Sequence, residues 1–200
     1  MYQKYHTDAL VLGSREHGEA DKAFALFTKD FGLVRARAVA VRNERSKMRY
    51  AMQKYARANV SLIKGKRGWR IAGATATKSA SGDLRGISTF ARISELVLRL
   101  VHGEEKNEYL FAALSEAHDA LMSAQGRSAS GGVPPSDITG IIEIVCVARV
   151  LFALGYISSE ALSTALFTHT AYTGESLLEA ETLKDKLLRS INKAISETQL

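Results

Sequence analysis

The chain has 200 residues, 46% hydrophobic and 24% charged, with a formal charge of +6. This composition is typical of a globular protein that buries its cores without disulfide staples. The single cysteine, Cys146, excludes an intramolecular disulfide and a cysteine-rich zinc site, and it favours a reducing, cytoplasmic setting. The first residues lack a signal-peptide core. The apolar stretch 141–157 contains Glu143 and Arg149, which predicts a buried helix rather than a membrane span.

The charge is unevenly distributed along the chain. Residues 1–80 hold 17 Lys and Arg against 6 Asp and Glu, a net charge of +11, whereas residues 81–200 hold 10 against 15, a net charge of −5. A basic part joined to a mildly acidic part indicates two modules. The basic module suggests a polyanionic partner, most often nucleic acid, with a solubility role as the alternative.

The first 80 residues are predicted to be rich in β-strands. Residues 8–16 form an apolar run, and residues 22–30 alternate with period two, which favours a strand over a short helix. Residues 33–41 alternate as well. Residues 55–76 read as two strands joined by a hairpin at 64–68, where glycines permit positive φ. About five short strands suit a small closed barrel, because closure removes exposed edges.

The alternation in residues 33–41 places positive charge on a predicted strand. One face carries Arg35, Arg37, Val39 and Val41; the other carries Val34, Ala36, Ala38 and Ala40. The small apolar face can turn inward while the arginines turn outward. Since Val39 and Val41 also favour burial, we expect the strand to bend or bulge near Ala38.

After a small polar stretch at 77–86 the pattern becomes helical. A first helix is expected to begin at an N-cap Ser88, and a second is expected over about 107–124. The stretch 125–137 holds both prolines of the chain and is predicted to be a mobile loop. A third, very apolar helix over about 137–154 should end at Gly155.

Two more helices are expected in the last 45 residues. A short one is predicted around 159–168. Ser176 and Glu179 form a capping-box pattern that would open one final helix. Its apolar stripe comprises Ala180, Leu183, Leu187, Ile191 and Ile195.

No catalytic pattern is present in the sequence. There is no glycine-rich phosphate loop of Walker type and no GxSxG elbow. The five histidines have no metal-like spacing, and Cys146 in an apolar helix is expected to be an inert, buried thiol. The sequence therefore predicts a protein that is not an enzyme and that holds no cofactor and no metal.

The informative region is 35–70, with twelve basic residues and one acid, Glu44. Cations bind phosphates, and exposed rings stack on bases, so this region suits single-stranded nucleic acid. Tyr50 is the best stacking candidate, Trp69 is open between barrel packing and stacking, and Tyr55 favours the core. The candidate binding residues are Arg35, Arg37, Arg42, Arg45, Lys47, Arg49 and Tyr50, with Lys64, Lys66 and Arg67 as a second wall that could also be a solvated turn.

Three pieces of the N-terminal part follow one another in a characteristic order: "DALVLGSREHGEAD" (8–21), "LFTKDFG" (26–32) and "AVRNERSKMRYAMQKY" (40–55). Together they resemble the RecO family of recombination mediators, which "LFALGYI" (151–157) matches more loosely. The resemblance implies an α+β chain of two domains, an OB-fold five-stranded β-barrel (1–80) followed by an all-α helical domain (81–200). It also implies binding of single- and double-stranded DNA and annealing of complementary strands.

The resemblance further implies protein partners. Such a mediator works with a RecR-like protein and helps RecA displace single-stranded-DNA-binding protein, so RecA is an indirect partner. This chain departs from the family pattern in having Ala40 where glycine is frequent, and Lys54-Tyr55 where a Pro-Phe-type pair is frequent. Residues 157–176 contain no cysteine, so the zinc module of many relatives is excluded.

The function predicted from the sequence is that of a cytoplasmic, nucleoid-associated DNA-binding recombination mediator. It would anneal single strands and assist RecA loading onto DNA coated by single-stranded-DNA-binding protein. Two alternatives stay open. One is an RNA-binding OB-fold module. The other is a protein-interaction adaptor that acts mainly through the helical domain and docks an acidic peptide on its basic face.

Overall fold

The fold is taken from a computed structural model, which describes residues 3–78, 84–123, 137–158 and 164–197. Five strands come first: β1 (Lys4–His17), β2 (Asp21–Thr28), β3 (Gly32–Ala38), β4 (Arg57–Gly65) and β5 (Gly68–Lys78). The helices are α1 (Met48–Ala51), α2 (Leu84–Leu100), α3 (Glu108–Met122), α4 (Ile138–Ala153), α5 (Gly174–Thr182) and α6 (Lys184–Glu197), with a 3₁₀ turn at Ala165–Phe167. None of the described helices is long and apolar enough to cross a membrane.

The strands close into a barrel in the order β1-β2-β3-β5-β4. All neighbours pair antiparallel except β3 and β5, which run parallel through Ala36 opposite Trp69 and Arg37 opposite Arg70. Every strand therefore has two partners, and the barrel leaves no long unpaired edge. The fold class predicted from the sequence, an OB-type barrel followed by helices, is confirmed.

The barrel core is built from the period-two apolar faces of its strands. Val34, Ala36 and Ala38 of β3 are at most 2% exposed, while Arg35 and Arg37 between them are exposed. The same core cluster contains residues of every other strand and two from the chain after β3: Ala9, Val11, Phe24, Leu26, Val41, Met52, Ala58, Val60, Leu62, Trp69 and Ile71. The predicted inward and outward faces of β3 are thus correct up to Ala38.

Contacts divide the chain into two units, Met1–Ser81 with Ser94–Phe111, and Gly82–Ile93 with Ala112–Leu200. In the first unit, residues 94–111 cover part of the outer face of the barrel. The rings of Phe27 and Phe111 stack with centroids 6.4 Å apart. A Cβ at Gly32 would overlap the carbonyl oxygen of Glu105. The domain bounds 1–80 and 81–200 stay a prediction.

The chain leaves the barrel sheet where the sequence predicts a bend. β3 ends at Ala38, Val39 is 50% exposed, and Val41 returns to the core at 3%. Between them Ala40 has φ +54°, and its backbone N–H donates to Asp21 Oδ1 at 2.8 Å. A left-handed backbone suits glycine, which is the residue that the family resemblance leads one to expect at this position.

Replacing Ala40 by glycine is expected to stabilise the protein by about 0.5–1 kcal/mol. The left-handed conformation costs alanine about 1–2 kcal/mol, and glycine's larger entropy loss on folding offsets part of the gain. Urea unfolding followed by circular dichroism measures the difference. Ala36→Gly, in a buried strand position with ordinary φ, should destabilise instead. Equal effects of the two changes would contradict this account.

In the second unit, α4 packs against α5, α6 and the 3₁₀ turn. Asp137 caps the start of α4 by accepting the Gly140 N–H at 3.1 Å. The helix ends at Ala153, and Gly155 just beyond it has φ +81°. The predicted helices over 107–124 and 137–154 are therefore confirmed. The predicted loop 125–137 lies outside the described residues except for Asp137, as do residues 159–163 of the predicted helix 159–168.

Two details of the helix predictions are wrong. Ser88 lies inside α2 and donates to the Arg85 carbonyl at 2.9 Å, so it is not an N-cap. The final helix is divided into α5 and α6. Its capping box joins Thr173 and Ser176, because the Ser176 hydroxyl accepts the Thr173 N–H at 2.9 Å and so takes the role expected of Glu179. Glu179 accepts from the Thr164 hydroxyl instead.

A buried arginine organises the segment between α4 and α5. Arg149 is 1% exposed, and its guanidinium donates to the carbonyls of Leu166, His169 and Thr170 at 2.7–2.8 Å. It also lies 4.7 Å from the ring centroid of Tyr172. The planar guanidinium thus joins three carbonyls of an irregular segment to α4.

Candidate nucleic-acid interface

The strand register places arginines of three strands in one row on the outside of the barrel. Arg15 of β1 pairs with Ala23 of β2, which pairs with Arg37 of β3, which pairs with Arg70 of β5. Directly paired residues project from the same face, and neighbouring strands lie about 4.8 Å apart. All three arginines are exposed. This arginine row (Arg15, Arg37 and Arg70) is a compact cationic strip, separated only by the small Ala23.

Arg35 extends the arginine row by one step along β3. It is exposed, and its partner in β2 is Ala25. With Arg15, Lys54 and Tyr55 it lines a cleft of about 290 Å³ whose only acid among the described residues is Glu95. Burial, and then the Glu95 charge, raise the pKa of Tyr55, so its hydroxyl stays protonated at neutral pH.

Asp21 fixes the end of β3 from the neighbouring strand. Its carboxylate accepts from Arg37 Nε at 2.9 Å and from the Ala40 backbone N–H at 2.8 Å. The Ala40 hydrogen bond, followed by the Arg37 hydrogen bond, lowers the pKa of Asp21 below 3.8. The carboxylate therefore orients Arg37 and holds the left-handed turn that begins the basic loop.

Asp21→Asn is expected to lower the free energy of unfolding at pH 7, and its difference from the wild type should shrink as the pH falls through the acid range. Because the pKa of Asp21 is lowered in the folded protein, its charge stabilises the fold above the unfolded pKa. That stabilisation is lost as pH falls through the lowered, folded-state value. Urea unfolding of both proteins between pH 7 and pH 2 measures it. A difference that does not shrink in acid would show that the amide fails for a reason other than charge.

The residues after β3 form a basic loop whose backbone is anchored and whose cations point outward. We define the basic loop as residues 39–49. The Arg42 N–H donates to the Ala20 carbonyl at 3.0 Å, and Ser46 N–H donates to the Asn43 carbonyl at 2.9 Å. Its cations Arg42, Arg45, Lys47 and Arg49 are all exposed. The structure thus brings four predicted site residues together on one ordered segment.

The cations of the basic loop differ in how they are partnered. Arg42 forms an ion pair with the exposed Glu16 at 3.2 Å. Arg49 lies 5.8 Å from the ring centroid of its neighbour Tyr50, whose side chain is 65% exposed. Arg45 and Lys47 form no ion pair with any residue that the structure describes. The loop therefore offers an excess of positive charge with an exposed ring beside it.

The β4–β5 hairpin holds the remaining predicted residues. Lys66 and Arg67 lie exposed at its turn, between the paired Gly65 and Gly68. Lys64 is different, because it forms an ion pair with Glu104 at 2.7 Å and lies 5.0 Å from the Trp69 ring centroid. Lys64 is thus occupied by contacts within the protein. Lys66 and Arg67 form no ion pair or ring contact with any residue that the structure describes.

The aromatic residues fall into three environments. Trp69 is 6% exposed and meets Tyr5 and Phe31 within the barrel core, so packing rather than base stacking accounts for it. Tyr55 is half-buried and has φ +64°. Only Tyr50 among these presents a free ring face of the kind that base stacking needs.

Four cations of this surface were not among the predicted site residues: Arg15, Lys22, Lys54 and Arg70. Arg15 and Arg70 belong to the arginine row, and Lys54 lines the cleft with Arg35. Lys22 lines a cavity of about 220 Å³ next to the basic loop, together with Arg42, Val41 and Met52. A single sequence shows which face of its own strand a residue occupies. It does not show which residue of another strand lies opposite, so the place of these cations on the surface could not be predicted.

The residues that metal binding and nucleophilic chemistry would use are scattered or buried in the described part of the chain. The described residues include no group of three or more His, Cys, Asp or Glu side chains placed to hold a metal. Burial raises the pKa of the Cys146 thiol to about 12, so it is not a nucleophile at neutral pH. His118 is fully buried edge-on against Phe90, as expected of a packing histidine.

A closed five-stranded barrel of this order defines an OB-fold protein, and exposed cations are concentrated on its outer face. Residues 1–79 match the family described as Recombination protein O N terminal. The barrel of this chain is therefore similar to the N-terminal part of the RecO family.

Curated relatives agree with this assignment. The chain is 44% identical over 62 residues to the DNA repair protein RecO of Desulfitobacterium hafniense, a match that covers 31% of this chain and 23% of the relative. It is 29% identical over 124 residues to that of a Thermoanaerobacter species (60% and 49%) and 31% identical over 113 residues to that of Pelotomaculum thermopropionicum (55% and 44%). The matches thus span between about a quarter and a half of the relatives' length.

Proposed function

We propose that this chain is a DNA-binding recombination mediator that works without catalytic chemistry. In this proposal it anneals complementary single strands and assists RecA loading onto DNA coated by single-stranded-DNA-binding protein. The observation that carries the proposal is the arginine row, continued by Arg35 and the basic loop, on the outer face of an OB-type barrel. The similar proteins are named DNA repair protein RecO, which supports a role in DNA repair.

Annealing of this kind follows from charge neutralisation. Two single strands repel each other through their phosphates, and bound Lys and Arg side chains cancel that repulsion while releasing counterions. Contacts to phosphates leave the base edges free to pair. The exposed arginines Arg15, Arg35 and Arg70 of the sheet and those of the basic loop are suited to this, because a guanidinium binds a phosphate through two parallel hydrogen bonds. Arg37 adds positive charge to the row, but its Nε and Nη2 already donate to Asp21.

The partners in this proposal are single- and double-stranded DNA, a RecR-like protein and single-stranded-DNA-binding protein, with RecA acting indirectly. They rest on the family resemblance. The cytoplasmic, nucleoid-associated location and the absence of enzymatic activity also remain predictions.

A strand-annealing assay tests the function. Complementary oligonucleotides, one carrying a fluorophore and the other a quencher, are mixed with and without the protein, both bare and coated with single-stranded-DNA-binding protein. We expect faster annealing in both cases. A matched RNA pair in competition separates the DNA reading from the RNA-binding alternative. No acceleration with either nucleic acid, together with protein capture that survives nuclease treatment, would instead support the adaptor alternative.

A further inference from the structure

Three cations of the first unit share the cleft of about 290 Å³ on the outside of the barrel. Arg15 lies on β1, Arg35 lies on β3 and Lys54 follows α1, and all three side chains are exposed. None of them forms an ion pair with a residue that the structure describes. Like charges that share one cleft repel each other, so an anionic ligand placed among them is stabilised.

The strand register makes this cleft a recess rather than a flat surface. Between Arg15 and Arg35 runs β2, whose residues paired with them are the small Ala23 and Ala25. Strands β1 and β3 are two strand spacings apart, roughly 9.6 Å. Two long arginine side chains can therefore reach one small group that is held between them above the alanines.

One side of the recess is closed by α2, which belongs to the same unit at this point. A Cβ at Gly13 would lie 3.6 Å from Leu98 Cδ1, so the Leu98 side chain lies against β1. Glu95, one helical turn before Leu98, is exposed and is the only acid among the described residues that line the cleft. The lining thus carries three positive charges and one negative charge, a net charge of +2.

A phosphate monoester matches this lining better than a phosphodiester does. A phosphate monoester carries a charge of about −1.5 to −2 at pH 7 and has three acceptor oxygens. Each internal phosphate of a strand carries a single charge. A terminal phosphate therefore balances the net charge of the cleft. It also continues into the strand on one side only, which suits a recess that Leu98 closes on the other side.

We propose that this cleft binds the terminal phosphate of a DNA strand through Arg15, Arg35 and Lys54. This inference rests on the proposed function and deepens it, because it assigns the recognition of strand ends to one place on the barrel. The rest of the arginine row and the basic loop contact internal phosphates, which are alike along the whole strand. The cleft is the part of the surface that distinguishes the end of a strand from its middle.

The affinities of strands with different ends test the proposal. Unlabelled oligo-deoxythymidines of one length, with a 5′-phosphate, a 3′-phosphate or hydroxyls at both ends, compete with a labelled strand in fluorescence anisotropy. We expect a phosphate at one end or at both to tighten binding about 10-fold or more, because hydrogen bonds between charged groups are strong. Equal affinities of all three strands would overturn the proposal and leave the proposed function intact. No binding of any strand would defeat both.

Total charge and free nucleotides are controlled separately. A hydroxyl-ended strand two nucleotides longer has nearly the charge of the phosphorylated strand, and an equal gain for it would show that binding follows charge alone. Thymidine 5′-monophosphate carries the same phosphate monoester without the strand. Because the strand is also held by its internal phosphates, the nucleotide should compete only far above the Kd of the strand. Competition near that Kd would mean that the cleft binds a free nucleotide, and the strand-end assignment would be wrong.

Three variants locate the phosphate. Lys54→Gln should lose most of the preference for the phosphorylated strand, whereas Lys4→Gln removes an exposed cation of β1 outside the cleft and should keep it. Glu95→Gln removes the acid of the cleft and should strengthen binding of the phosphorylated strand more than that of the hydroxyl-ended strand. Such a gain cannot come from misfolding. An unchanged preference in Lys54→Gln, or equal gains for both strands in Glu95→Gln, would overturn the proposal.

Discussion

Replacing Arg42, Arg45, Lys47 and Arg49 together by alanine is expected to lower the affinity for single-stranded DNA on the order of 100-fold near physiological salt. Each phosphate contact on a single strand contributes about −0.7 to the slope of log affinity against log salt. Losing four contacts should therefore make that slope shallower by about 2.8. Fluorescence anisotropy of a labelled oligonucleotide across a salt series measures both quantities.

The fold should survive this change because the basic loop is held by other groups. Its backbone is anchored by the Arg42 N–H on the Ala20 carbonyl and by the Ala40 N–H on Asp21. Val41 and Met52 fix it to the core at 3% and 4% exposure. The four side chains contribute one exposed ion pair, Arg42 with Glu16, and exposed pairs contribute at most about 1 kcal/mol.

A matched control removes four charges from the second unit. Lys184, Lys186, Arg189 and Lys193 all lie on α6, and alanine is a good helix former there. This variant has the same net charge as the basic-loop variant. We expect it to keep most of the affinity and the salt slope. An equal loss in both variants would mean that binding follows net charge, and a loss only in the α6 variant would move the site to the helices.

The barrel could be predicted because its signals are local. The alternation of Val34, Ala36 and Ala38 with Arg35 and Arg37 shows its own inward and outward faces. Glycines at both ends of Lys66-Arg67 mark the tight turn between β4 and β5. The basic loop was predicted for the same reason, since its charges are contiguous in sequence. The family resemblance supplied the OB topology that local patterns leave undetermined.

The arginine row and the cavity could not be predicted because they depend on pairing between strands. Arg70 was not among the predicted site residues, and nothing in its own hairpin shows that it lies opposite Arg37. In the sequence Lys22 is simply the first residue of an apolar strand. It lines a cavity only because Val41 and Met52, which follow later in the chain, return to the barrel core beside it. Conversely, Lys64 was a candidate by charge alone, and only Glu104, forty residues away, shows that it is occupied.

The role of Arg149 could not be predicted either, because an arginine within 141–157 looks like an interruption of an apolar helix. In the structure it donates to three backbone carbonyls over residues 166–170. The three acceptors lie within residues 157–176, where the family resemblance leads one to expect a cysteine zinc module and where this chain has no cysteine. A guanidinium that joins three carbonyls crosslinks an irregular segment to α4, which is a role that a structural metal can also fill.

Replacing Arg149 by methionine is expected to destabilise the helical unit by about 3–5 kcal/mol. Methionine fills much of the volume but removes the hydrogen bonds to the carbonyls of Leu166, His169 and Thr170, and a hydrogen bond from a charged donor contributes about 1.5–3 kcal/mol. Urea unfolding followed by circular dichroism at 222 nm reports this unit, because the long helices dominate that signal.

Arg92→Met is the matched control for this prediction. Arg92 also forms close hydrogen bonds in the same unit, to both carboxylate oxygens of Glu143 at 2.6–2.7 Å, but its side chain is 57% exposed. Because water can replace that partner, its loss should cost at most about 1 kcal/mol. Arg149→Lys should fall between the two, since an ammonium cannot reach three divergent carbonyls with the geometry of a planar fork. If Arg149→Met costs no more than Arg92→Met, the segment after α4 is held by its apolar contacts at Leu166 and Phe167 rather than by the guanidinium.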